Sequence, residues 1–189
     1  MDPYRLPRFA RPTRYDLRLE PDLATLSFTG EETVTLESTE PTAEIVMNAV
    51  ELKIGEATIT SERGDAQRGV ATLDEAAERC RVVFPSPLAP GTWRLRLAFT
   101  GILNDKLRGF YRSSYKDSSG EMRLMAATQF EATDARRAFP CWDEPEFKAV
   151  FAGTLVIDPK LTAVSNTAIK GERVAGGRQS VTFADSMKL

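Results

Sequence analysis

Gln129 and Glu131 are the two side chains whose types and spacing could recognise a charged ligand. They lie in the window 127–148, which reads ATQFEATDARRAFPCWDEPEFK. An extended, apolar-rich run precedes them, so we predict that residues 128–131 end a β-strand. Side chains alternate between the faces of a strand, so Gln129 and Glu131 would project together while Phe130 enters the core. An amide oxygen beside a carboxylate suits an ammonium group, which has donors and no acceptor.

A solvated strand face is the ordinary alternative for a Gln-x-Glu pair. Beyond it, Thr133 is predicted to cap a short helical turn near residues 133–139, with Asp134 at its positive end. Pro140 would end that turn, because proline cannot donate the backbone hydrogen bond that continues a helix.

Acidic and basic side chains then crowd the rest of the window. The acidic ones are Asp143, Glu144 and Glu146, and the basic ones are Arg136, Arg137 and Lys148. An acidic group of this kind could hold a cation, but the basic residues beside it favour ion pairs that stabilise the fold. Phe139 and Trp142 are expected to be packing residues.

The elements that must position this window are predicted to be β-strands. The clearest is residues 93–99, where Trp93, Leu95 and Leu97 alternate with arginines, so one face is buried and the other is wet. Further strands are expected at 14–20, 28–36, 45–47, 52–54, 57–60, 80–84, 109–115, 149–157 and on both sides of residues 175–177. The predicted fold is therefore all-β, a sandwich or saddle of mixed and antiparallel sheets.

Four local features complete this prediction. Gly30 is expected to mark a β-bulge. Residues 62–69 are polar and typical of a turn, and residues 71–79 are the best helix candidate outside the window. Residues 117–120 (DSSG) are expected to connect strand 109–115 with the strand that carries Gln129.

Composition narrows the class of protein. The chain has 189 residues, which suits a single domain, and its net charge of −2 offers no bulk attraction for nucleic acid or an anionic membrane. No apolar run approaches the roughly 20 residues that span a bilayer. The first residues lack the apolar core of a secretory signal, so a cytoplasmic location is expected.

Cysteine and histidine usage bears on redox state and catalysis. Cys80 and Cys141 are far apart and are expected to be two separate reduced thiols, since a disulfide would need an oxidising compartment. The sequence has no histidine, which removes the commonest general base and the commonest zinc ligand from this chain.

The window 128–145, TQFEATDARRAFPCWDEP, resembles the N-terminal β domain of the aminopeptidase N type of zinc metallopeptidase. GFYRSSY at 109–115, RLPRFARPTRYDLRLEPDL at 5–23 and the dipeptide SN at 165–166 support the resemblance. It implies that Gln129 and Glu131 reach into an active-site cleft and hold the free α-amino group of a peptide substrate. Trp142 stands where that family more often has phenylalanine.

The same resemblance implies what this chain lacks. The family's zinc site is a helical H-E-x-x-H with a further glutamate, and neither it nor the G-A-M-E-N loop occurs here. Residues 1–189 are therefore expected to be a single N-terminal domain, inactive alone and ending about where that domain adds its final strand. Zinc would belong to the longer parent, with no cofactor in this chain. The expected partners are its own catalytic domain and peptides with a free N-terminus, and a monomer is favoured.

Two alternatives from other classes stay open. The chain could come from a relative that has lost its metal site and serves as a scaffold, which an H-E-x-x-H motif in the parent would exclude. It could also be a free-standing β-sandwich binding module, although a row of exposed aromatic residues, the usual mark of such modules, is not evident.

Overall fold

The computed structural model describes residues 5–189, which form twelve β-strands and one short 3-10 helix. The strands of the first half are β1 (Ala10–Asp22), β2 (Ser27–Ser38), β3 (Thr42–Asn48), β4 (Leu52–Ser61), β5 (Ala66–Asp74) and β6 (Arg79–Leu88). Those of the second half are β7 (Gly91–Ile102), β8 (Gly109–Lys116), β9 (Met122–Gln129), β10 (Val150–Ile157), β11 (Ile169–Ala175) and β12 (Arg178–Phe183). The 3-10 helix spans Ala135–Arg137.

Ten strands form one mixed sheet in the order β11-β12-β10-β1-β2-β7-β4-β5-β6-β3, and β8 and β9 form a separate hairpin. All named pairs are antiparallel except β1 and β10, which run parallel. Tyr15 in β1 is aligned with Val34 on one side and with Phe151 on the other. The all-β, mixed-sheet prediction is therefore confirmed.

The core follows from the alternation of side chains along these strands. In β7, Trp93, Leu95, Leu97 and Phe99 are all buried, whereas Arg94 and the other residues between them face outward. Buried residues of β1, β2, β3, β6 and β7 belong to one cluster, although β3 and β6 lie far from β1 in the order of strands. The sheet therefore curves so that the β3 end shares an interior with β1, β2 and β7, whereas the buried residues at the β12 end form a second, smaller cluster.

Two local predictions are wrong because strand pairing overrides local sequence preference. Residues 71–79 are not helical: β5 continues to Asp74, a turn follows, and β6 begins at Arg79. Within this hairpin Leu73 is aligned with Cys80. The turn predicted over 62–69 covers only residues 62–65, since β5 already begins at Ala66.

Gly30 does not form a bulge. It keeps regular register with Leu19 in β1 and Phe99 in β7. The ring of Phe99 lies where a side chain at position 30 would be, so glycine is needed for close packing. The irregular position in this strand pair lies instead between Pro12 and Arg14.

The β8–β9 hairpin carries the window of interest and confirms the connection predicted at residues 117–120. The carboxylate of Asp117 accepts backbone hydrogen bonds from Ser119 (2.9 Å) and Glu121 (3.1 Å) and pairs with Arg123. The Ser119 hydroxyl also donates to it, and these bonds lower the pKa of Asp117 to about 2.

Among residues 5–189 there is no helix long and apolar enough to cross a membrane.

Candidate functional site

Gln129 and Glu131 lie at the end of the β8–β9 hairpin, with one residue between them. β9 ends at Gln129, so Glu131 stands in the following turn and not in the strand as predicted. Both residues are exposed, while Phe130 is half-buried and packs edge-on against the ring of Phe139, 5.9 Å between centroids. The peptide bond between Glu131 and Ala132 is cis. The alternation predicted around Phe130 is thus present, and it leaves an amide and a carboxylate open to solvent.

Glu131 differs from its acidic neighbours in having no cationic partner among residues 5–189. Asp134 pairs with Arg137 at 2.7 Å, and Asp143 pairs with Arg136 at 2.9 Å. The remaining two acids of the window, Glu144 and Glu146, are also paired. The Gln129 amide likewise makes no hydrogen bond within the described part of the chain.

Arg136 and Arg137 join the turn after Glu131 to the rest of the fold. Arg137 reaches three carboxylates, those of Asp134, of Glu51 at 2.8 Å and of Glu78 at 3.3 Å. Arg136 pairs with Asp143 and with the other oxygen of Glu78, at 3.0 Å. Both arginine side chains are about nine-tenths buried, at 10% and 12% exposure, which makes these pairs stronger than surface pairs.

The other acidic residues pair with an unexpected partner, the N-terminal arm. Glu144 lies 3.3 Å from Arg5 and accepts a 2.6 Å hydrogen bond from the backbone N–H of Leu6. Glu146 lies 2.8 Å from Arg8 and 3.6 Å from Arg11. Structural ion pairing was therefore the right prediction, with Arg136 as one predicted partner and the arm supplying the rest.

Backbone contacts fix the segment that follows the turn. Asn48 and Cys141 exchange two backbone hydrogen bonds, of 2.7 and 2.9 Å. The N–H of Trp142 donates to the hydroxyl of Tyr15 at 3.1 Å, and the N–H of Asp143 donates to the side chain of Asn48. Trp142 and Phe139 are buried, as predicted for packing residues. The site is thus an exposed pair on a firmly anchored support.

The helical turn is shorter than predicted and is capped differently. Its three residues follow Asp134, which stands at the N-cap position without a side-chain hydrogen bond to the helix. Thr133 therefore does not cap it. Asp134 is engaged instead with Arg137, and Arg136 and Arg137 occupy the last turn, near the negative end of the helix.

A buried carboxyl group lies beneath this support. Glu32 in β2 is 1% exposed, and neither of its carboxyl oxygens has a hydrogen-bond partner in the described chain. Burial raises its pKa well above the ordinary value. Tyr15, Cys80 and Cys141 are close enough for its charge to affect their own titration, and both thiols are free and buried. The sequence analysis missed Glu32, although its spacing of two residues from Val34 is a signal that could have marked it as buried.

The described residues offer no zinc site. Residues 5–189 contain no group of three or more acidic, cysteine or histidine side chains arranged to hold a metal ion. The Cys80 and Cys141 thiols, the softest donors present, lie in the core, where burial raises the pKa of both. The donors present among residues 5–189 therefore do not fit zinc.

An apolar groove runs beside β9, and Thr128, the residue before Gln129, is among those that line it. It has a volume of about 670 Å³ and lies between the hairpin, β10 and residues 160–164. Leu124, Leu155 and Ile157 are among its lining residues. On the hairpin, Met122 and Met125 are also exposed, at 60% and 42%. So much exposed apolar surface is typical of a contact face.

Comparisons with known proteins agree with this architecture. Residues 11–189 match the family model described as the Peptidase M1 N-terminal domain. The chain is 46% identical over 182 residues to aminopeptidase M1-D of Oryza sativa subsp. japonica, covering 96% of this chain and 20% of that protein.

Two further relatives have the same pattern of coverage. Puromycin-sensitive aminopeptidase of Caenorhabditis elegans is 42% identical over 188 residues, which cover 98% of this chain and 20% of that protein. Alanine/arginine aminopeptidase of Saccharomyces cerevisiae is 37% identical, covering 97% and 22%. The chain thus spans about a fifth of the length of the curated relatives it matches.

Proposed function

Because this chain belongs to the Peptidase M1 N-terminal domain family, we propose that it is the amine-recognition domain of a zinc-dependent aminopeptidase. In this proposal Gln129 and Glu131 bind the free α-amino group of a peptide, and a separate catalytic domain holds the zinc and cleaves the first peptide bond. We also propose, as a separate point, that the protein acts in the cytoplasm.

One observation carries the assignment of the two residues. Glu131 is exposed and unpaired, whereas Asp134, Asp143 and the two later acids of the same window have cationic partners in the described chain. The Glu131 carboxylate has no cationic partner in the described chain, and the Gln129 amide beside it has no hydrogen-bond partner there. Both groups are therefore available to a ligand cation. Since the support beneath it is anchored by ion pairs and backbone hydrogen bonds, the pair is held in place before the ligand arrives.

The chemistry of recognition is charge-assisted hydrogen bonding. The carboxylate of Glu131 and the amide oxygen of Gln129 both accept, and the ammonium group of a peptide donates. Each bond from an ammonium to a carboxylate contributes about 1.5–3 kcal/mol, and more where water is excluded. A peptide with a blocked N-terminus lacks the positive charge, so the pair would restrict cleavage to the first residue.

The apolar groove and the exposed methionines of the hairpin support a partner domain beside this site. A domain that covers them would exclude water from Glu131 and supply the second wall of a cleft. The isolated chain lacks that wall and any histidine. We therefore expect the chain alone to have no peptidase activity and to bind amines too weakly to measure.

The test uses the full-length parent protein. Glu131→Gln should lower kcat/KM for an aminoacyl-4-nitroanilide by about 100-fold or more, because it removes the charge that faces the ammonium. The zinc content should stay unchanged. Glu146→Gln is the matched control, since Glu146 lies in the same window but is held by Arg8 and Arg11.

Three results would contradict the proposal. Unaltered kinetics in Glu131→Gln would remove this carboxylate from the site. An equal loss in Glu146→Gln would mean that any change in the window damages the enzyme. A parent protein that purifies without zinc and without peptidase activity would favour a scaffold.

A further inference from the structure

Arg137 occupies a position that bears on both members of the candidate pair. It lies in the same turn as Glu131, and its guanidinium binds Asp134, Glu51 and Glu78, which belong to three different segments. Asp134 in turn donates its backbone N–H to the carbonyl of Phe130 at 2.8 Å. The link from Arg137 to the residue before Glu131 therefore runs through one side chain and one backbone hydrogen bond.

A second contact connects Arg137 to Gln129. Gly109 is aligned with Gln129 in the β8–β9 ladder. A Cβ atom built on Gly109 would lie 2.5 Å from Cβ of Arg137 and 3.3 Å from the carbonyl oxygen of Asp134. Gly109 also has a φ of +66°, which favours glycine. Arg137 thus lies directly against the backbone of Gly109, which pairs with Gln129 and so helps to fix the position of Gln129.

Arg136 has similar ion pairs but lacks this second contact. It is buried to the same degree and also binds Glu78, yet its other partner is Asp143, beyond the turn, and it is not among the near neighbours of Gly109. The two adjacent arginines therefore differ chiefly in which part of the chain they hold. Arg136 fixes the segment that leaves the turn, whereas Arg137 fixes the hairpin relative to the turn.

From these contacts we infer that Arg137 is a positioning residue for amine recognition: it sets the distance between the Gln129 amide and the Glu131 carboxylate. The inference rests on the proposed function, since it concerns the same pair. Arginine is suited to this positioning role because its planar guanidinium donates hydrogen bonds in fixed directions to three carboxylates. A lysine ammonium is a point charge without this fixed geometry. A displacement of about 1 Å at a binding pair can cost as much as 100-fold in rate.

The experiment compares Arg137→Lys with Arg136→Lys in the full-length parent. Each variant keeps its positive charge and loses its fork. The readout is the ratio of kcat/KM for an aminoacyl-4-nitroanilide to that for the analogue without the amino group. We expect this ratio to fall about 10- to 100-fold in Arg137→Lys, mainly through KM, and to stay within about threefold of wild type in Arg136→Lys.

Controls separate this inference from the proposed function. Melting temperatures report folding, and a second variant, Gly109→Ala, approaches the same contact from the hairpin side and should lower the ratio too. If Glu131→Gln keeps the wild-type ratio, the proposed function fails. If Glu131→Gln loses it while Arg137→Lys and Gly109→Ala keep it, only the positioning role is overturned. An equal fall in both lysine variants would also overturn it.

Discussion

Gly109 lies against Arg137 so closely that only a residue without a side chain fits there. The glycine is aligned with Gln129 across the hairpin, and the arginine binds carboxylates from three segments. At this contact the β8–β9 hairpin contributes the backbone of Gly109, and the turn contributes the buried side chain of Arg137. Disrupting this contact should destabilise the fold, and the loss can be measured in the isolated chain.

Gly109→Ala should lower the free energy of unfolding by about 2 kcal/mol, because it adds a methyl group in a filled space and forces alanine into a left-handed conformation. Urea unfolding of the chain measures this. Gly120→Ala is the matched control, since Gly120 also has a positive φ, +85°, but has no atom within 4 Å of an added Cβ. Equal losses in both variants would show that backbone strain alone accounts for the effect.

Glu32 should make the stability of the chain fall as pH rises. Burial raises its pKa in the folded state well above the ordinary 4.5, so between these two values the folded chain keeps a proton that the unfolded chain has released. The folded state then binds more protons, and stability declines by up to about 1.4 kcal/mol per pH unit. Below the unfolded-state value this penalty is absent.

Urea unfolding at a series of pH values tests this, with Glu32→Gln expected to remove the downward slope. The groups that face Glu32 are Tyr15, Cys80 and Cys141, whose own pKa values are raised by burial. Glu31→Gln is the control, because Glu31 is exposed and paired with Arg96. A wild-type slope in Glu32→Gln would contradict the assignment.

The Arg136–Asp143 pair should contribute more to stability than a surface pair. Both side chains are about seven-eighths buried, at 12% and 13% exposure, so Asp143→Asn should lower the free energy of unfolding by about 2–3 kcal/mol. The exposed Arg96–Glu31 pair, at 67% and 48%, should contribute less than about 1 kcal/mol. Double-mutant cycles on the two pairs measure both, and equal coupling energies would contradict this.

The two cysteines should be inert towards thiol reagents while the chain is folded. Burial raises the pKa of Cys80 to about 12 and that of Cys141 well above its ordinary value, so the reactive thiolate is scarce at pH 8. Labelling should be slower by about 1000-fold or more than in the urea-unfolded chain. Fast labelling of either thiol in the folded chain would contradict the burial of the two cysteines.

The sequence predicted which side chains of this site are exposed or buried better than it predicted their ion-pair partners. The alternation predicted around Phe130 correctly indicated that Gln129 is exposed and that Phe130 is partly buried, although burial does not alternate within β9 itself. It also extended the strand to Glu131, which stands in the turn. Strand ends depend on the neighbouring chain, which local pattern does not contain.

The ion pairs illustrate the same division. Charge proximity in sequence identified Arg136 as a partner of Asp143, but it also suggested Lys148, which takes no part in these pairs. Glu51 and Glu78, the partners of these arginines that are distant in sequence, lie on turns that come near only once the large sheet has curved. The failed helix at 71–79 has the same origin, since residues 71–74 pair with β6 and Arg79 pairs with both β5 and β3.

The parallel pairing of β1 with β10 bears on how the protein is made. Translation delivers β1 before both of its partners, and β2 can fold back onto it at once, but its second neighbour begins only at Val150. Until then the nascent polypeptide on the ribosome presents an open strand edge, the kind of surface that associates with other chains. One edge of β1 is therefore sealed only after Val150 has been synthesised, and chaperone demand should be greatest while the stretch between β2 and β10 is being translated.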